Sequence, residues 1–154
     1  RRCINSVERG CGCMPLDGLT KQLKADGLSL RLFDRNGQEV VSSTQKGLTP
    51  LYQAYRDRPD WFSGGVLVDK VLGKAAAAIA VRGGVRAVHA VLISEPALAL
   101  LRQGGVTVVY EKKVPAILNR TGEGPCPMEA RVYDATDAEE AWAALQRFFI
   151  EKEA

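Results

Sequence analysis

The sequence predicts an α/β domain, a three-layer α/β/α sandwich built on a mixed sheet. Three observations lead there. "LSLRLF" and "EVVSS" alternate apolar and polar residues on either side of "DRNGQ", whose Asn36-Gly37 pair is a strong hairpin signal. Residues 69–110 then read as helix, strand, helix, strand with glycine-pair stops, the pattern of a right-handed parallel crossover. Finally, Asp137 with Glu140 makes a capping box ahead of Ala141, Trp142, Leu145, Phe148 and Phe149, one apolar stripe expected to dock on the sheet.

Each element has a local cause. "DGLTKQLKADG" spaces Leu19 and Leu23 one helical turn apart and stops at Gly27. Residues 48–57 form a helix with Pro50 in its first turn, where a missing amide proton is harmless, and Pro59 ends it. In "VDKVLGKAAAAIAVRGG" the expected N-cap is Asp69 and the stop is Gly83-Gly84. Apolar residues nearly encircle this helix, so it should be central, with alanines allowing close approach. "AVHAVLI" is a strand buried on both faces, Ser94 caps the next helix with Pro96 in its first turn, and "VTVVY" is another strand. "EARVY" is read as a further strand.

The chain has 154 residues, 46% of them hydrophobic, which suits one globular domain. Its 21 Lys and Arg against 18 Asp and Glu leave a formal charge of +3, scattered rather than gathered into a basic block with aromatics. Nucleic acid is therefore not an expected partner. The apolar runs fall short of the ~20 residues that span a bilayer, so neither a membrane partner nor a membrane location is expected, and the reading is cytoplasmic. Cys3, Cys11 and Cys13 fall in the first thirteen residues, which lack periodicity. These read as a disordered extension or as translation drawn upstream of a start at Met14, with a small metal knot or redox pair as the alternative. Residues 14–154 then form a single domain, with Cys126 its one thiol.

The stretch "SEPALALLRQGGVTVVYEKKV" resembles a zinc deaminase segment, in which a strand runs into Glu-Pro-Cys-x-x-Cys at a helix start. Ala97 and Leu100 stand at the two cysteine positions. From about Leu19 onward the chain also resembles the uncharacterised bacterial family catalogued as domain of unknown function 1893, through "KGLTPL", "DKVLGKAAA", "ISEPAL", "NRTG" and "CPME". That resemblance implies a cytidine deaminase-like fold. It does not carry the metal chemistry over: a catalytic zinc needs three protein ligands and a nonligand glutamate, and neither Ala97, Leu100 nor the start of the alanine-rich helix supplies them. No metal and no cofactor are expected.

The candidate ligand-binding residues gather in three places. Asp69, Lys70 and Lys74 open the alanine-rich helix, where a lysine among apolar residues needs a partner. "GGVLVDKVLGK" is no phosphate loop, since Val68 stands where the first glycine belongs. Ser94 and Glu95 lie where a parallel strand meets a helix, the edge at which α/β sheets bind ligands and free amides favour anions. Plain capping explains the same pair. "NRTGEGPCPME" adds Asn119, Arg120, Cys126 and Glu129, with Arg120 suited to clamp an anion and Cys126 a candidate catalytic nucleophile. His89 reads as a strand residue. The leading expectation is a protein binding a small anionic or nucleotide-like ligand, with monomer and homo-oligomer both left open; the alternatives are an enzyme with Cys126 thiol chemistry and a noncatalytic interaction module.

Overall fold

A computed structural model of the chain describes residues 18–45, 47–117 and 127–153. Helix α1 (Leu19–Ala25) leads into a hairpin of β1 (Leu30–Phe33) and β2 (Glu39–Ser43). Gly37 supplies the left-handed backbone (φ 82°) that the reversal requires, and the Asp34 carboxylate accepts the amides of Asn36 and Gln38 at 2.9 and 3.0 Å. Helix α2 (Thr49–Asp57) and a single 3-10 turn (Pro59–Trp61) bring the chain to β3 (Val66–Leu72). Helix α3 (Lys74–Gly83), β4 (Ala87–Ser94), α4 (Glu95–Gln103) and β5 (Thr107–Val114) follow, then α5 (Pro127–Arg131) and α6 (Ala138–Glu153).

The sheet order is β2-β1-β3-β4-β5. β1 is antiparallel to both β2 and β3, while β3, β4 and β5 run parallel, so the sheet is mixed. One face is covered by α1 through Leu19 and Leu23, packed with Phe33, Val66, Val68 and Ala87. The larger core lies on the other face, where residues of α2, α3, α4 and α6 meet those of the strands. The three layers are those the sequence predicts.

Three expectations need correction. The alanine-rich helix does not begin after Asp69. Asp69, Lys70, Val71 and Leu72 instead extend β3, with Asp69 paired to Leu30 and Ala90, Leu72 paired to Ile93, and the Lys70 amide donating to the Ser29 carbonyl at 3.0 Å. Asp69 is locally a good cap, but ladder bonds to strands on both sides of a valine-rich segment outweigh that preference. "EARVY" is not a strand either. Glu129, Ala130 and Arg131 complete the short helix α5, and Val132 is sealed in the helical core. Lastly, the α6 stripe packs on α3 and the aromatic residues of α2 rather than directly on the sheet. Tyr52 stacks on Phe149 with centroids 3.9 Å apart, and Tyr55 meets Trp142 edge-on at 4.9 Å.

The start of α6 is formed as its sequence suggests, with one change of partner. Asp137 accepts the Glu140 amide at 2.9 Å, while the Glu140 carboxylate reaches back to the amide and hydroxyl of Thr136.

Candidate functional site

Because β3 and β4 are parallel, their carboxyl ends deliver the starts of α3 and α4 to one edge of the sheet. The two helix starts differ. At α4, Ser94 is fully buried and its hydroxyl accepts the Ala97 amide at 3.2 Å, so it is an N-cap. Glu95, in the first turn, is exposed.

At α3 no side chain of the preceding residues caps the helix. The Glu129 carboxylate does so from α5. Its two oxygens accept the amides of Lys74 (2.9 Å) and Ala75 (3.2 Å). Gly73 makes this approach possible, since a Cβ there would fall 2.4 Å from a Glu129 oxygen. Lys74 answers in the opposite direction: its ammonium donates to the carbonyls of Ala135 (2.6 Å) and Tyr133 (3.2 Å). A lysine among apolar residues thus finds its partners in the backbone leading to α6. Hydrogen bonds to charged groups contribute roughly 1.5–3 kcal/mol each, so these four contacts are a substantial local brace.

Two of these residues, Lys74 and Ala135, border an open cleft of about 310 Å³ whose other lining residues are Pro96, Ala99, Leu100, Gln103 and Thr136. Pro96, Ala99, Leu100 and Gln103 belong to α4 at the spacing i, i+3, i+4, i+7, which places them on one helical stripe. The floor is mainly apolar, with one cation and two neutral polar groups. Such a composition suits a small molecule with one charged end.

Of the other expected site residues, Asp69 lies on β3, half-buried, and Lys70 is exposed. Alternation along the strand turns the two to opposite faces of the sheet. Burial pushes the Asp69 carboxyl up to about 7, against the smaller opposing effect of hydrogen bonds from the Val71 and Lys70 amides. Asn119, Arg120 and Cys126 lie outside the described residues, as do Cys3, Cys11 and Cys13. His89 is buried on β4. Lys74 and Glu129 are therefore the expected residues brought together. Sequence reasoning missed Pro96, Ala99, Leu100, Gln103, Ala135 and Thr136, although the α4 stripe was visible in its spacing.

Residues 18–149 match the family described as Domain of unknown function (DUF1893). The chain belongs to the DUF1893 family. Among solved structures, the crystal structure of a DUF1893 family protein from Thermotoga maritima is similar, with 30% identity, a TM-score of 0.76, and coverage of 99% of this chain and 96% of that one. No curated protein matches. The brace and cleft of this DUF1893 protein are built from described residues. Among those described, no helix is long and apolar enough to cross a membrane.

Proposed function

We propose that this DUF1893 protein binds a small anionic, nucleotide-like ligand in the cleft beside Lys74. The observation that carries this reading is the cleft itself: about 310 Å³ open over the stripe of α4 formed by Pro96, Ala99, Leu100 and Gln103, with a lysine on its wall. An ammonium has three donors, and two acceptors of Lys74 are accounted for by Tyr133 and Ala135. The anion would sit against this charge, and an apolar ring would lie over Pro96, Ala99 and Leu100.

The nucleotide-like element of the proposal draws on a cytidine deaminase-like architecture. What supports it is the hairpin β1–β2 and the later succession of α3, β4, α4 and the parallel strand β5. The resemblance puts the second zinc segment at the step entering α4, with Ala97 and Leu100 at the cysteine positions; the other helix start on that edge is the step entering α3. Its residues are Gly73, Lys74 and a run of alanines, which cannot ligate zinc. The proposed activity is binding, without metal-dependent deamination.

A blocking substitution tests the cleft without disturbing the brace. Ala99 is exposed and lines the cleft, so Ala99→Trp should fill the space while leaving the melting temperature nearly unchanged. Titration calorimetry with adenosine and cytidine 5′-monophosphates and ribose 5-phosphate should show at least one ligand whose affinity falls about tenfold or more in the variant. Binding should also weaken with salt if the charge dominates. Equal affinities in both proteins, or no binding by any of the three, would reject the reading. The second outcome favours the interaction-module alternative.

A further inference from the structure

We propose that residues 127–136 act as a strap whose docking on α3 forms one wall of the cleft, so that strap closure and cleft formation are coupled. This rests on the ligand-binding reading for its purpose, and on separate geometry for its existence. The cleft wall formed by Ala135 and Thr136 belongs to the strap, and Lys74 touches both the cleft and the strap carbonyls. At the strap's other end, Glu129 is fastened to the amides of Lys74 and Ala75. Apolar anchorage between these points is slight: Val132 is fully buried and Met128 and Ala135 partly, whereas Ala130, Arg131, Tyr133, Asp134 and Thr136 are exposed, Arg131 reaching Glu151 of α6 at 2.7 Å across the surface. A segment with few buried apolar contacts opens at lower free energy than the core, so its polar fastening decides how often it is closed.

Glu129 is accordingly a positioning residue. Its carboxylate and Gly73 form one lock, because a Cβ at residue 73 would displace the carboxylate while the backbone there (φ −101°, ψ −177°) accepts alanine without strain. Two different substitutions should therefore produce the same opening. Hydrogen exchange on the full chain reads it directly. Glu129→Ala and Gly73→Ala should each accelerate exchange in residues 128–136 and at the Lys74 and Ala75 amides by about tenfold or more, leaving β3, β4 and the centre of α6 protected.

The double variant should exchange no faster than Glu129→Ala alone, since with the carboxylate gone the added methyl meets nothing it can displace. Multiplying rates, unchanged exchange in the strap, or acceleration spread evenly through the core would overturn the strap. Its coupling to the cleft is read with adenosine 5′-monophosphate as probe. Affinity should fall about tenfold in Gly73→Ala, although residue 73 does not line the cleft; unchanged affinity in a variant with accelerated exchange would break the link. If the unsubstituted protein fails to bind this probe, the exchange comparison still decides the strap and the calorimetric series decides the ligand reading.

Discussion

At pH 8 the Asp69→Asn protein should be more stable than the unsubstituted chain by on the order of 2–4 kcal/mol. Asp69 sits in β3 between Leu30 and Ala90, and among the described residues no ion pair reaches it. Burial raises its carboxyl from 3.8 to about 7, opposed by the amides of Val71 and Lys70. Between these values the folded chain retains a proton that the unfolded chain has released. Stability must then fall as pH rises from about 4 through 7 and level off above the folded value. Asparagine has no such transition and keeps an oxygen able to accept the Val71 amide. The two stability curves should coincide near pH 4 and separate across the window, with the variant higher. Urea unfolding at five pH values from 4 to 8 checks this, and parallel curves would show that the carboxyl is not desolvated.

Gly65→Ala should destabilise the protein by roughly 2–4 kcal/mol. Gly65 does not have a left-handed backbone, so conformational freedom is not the issue. An added Cβ would fall 2.4 Å from the Phe33 carbonyl oxygen and 3.0 Å from that of Trp61. Both obstacles are backbone. Relief requires separating β1 from the turn that feeds β3, where the Gly65 amide donates to Phe62 and its carbonyl accepts from Arg86. Gly105→Ala is the contrasting case: its φ is 76° and no atom lies within 4 Å, so strain alone should cost about 1 kcal/mol. Denaturant unfolding of both variants should show the larger loss at Gly65; a loss no greater than that at Gly105 would mean that the strands adjust cheaply.

Local chemistry carried much of the fold. Asn36-Gly37 marked the hairpin, Ser94 the start of α4, and Asp137 with Glu140 the start of α6, because a turn or a cap is made by residues a few positions apart. The site was less legible. The sequence shows that Lys74 needs a partner, but its acceptors lie 59 and 61 residues away. Glu129 stands in a stretch rich in turn residues, while its role as the cap of α3 depends on a contact 55 residues back in the chain.

What the sequence determined by itself was the order of most elements, the layered class, and the absence of cysteine and histidine from the starts of α3 and α4. Only the tertiary structure decided that Asp69 ends up in a strand, that "EARVY" bends into a helix and a buried valine, and that α6 rests on α3. The physical reason is common to all three. Propensities and caps act over one or two turns and differ by about 1 kcal/mol, whereas a ladder with strands on both sides, or a carboxylate held by two amides, sums several contacts that are not encoded near the residues they reposition.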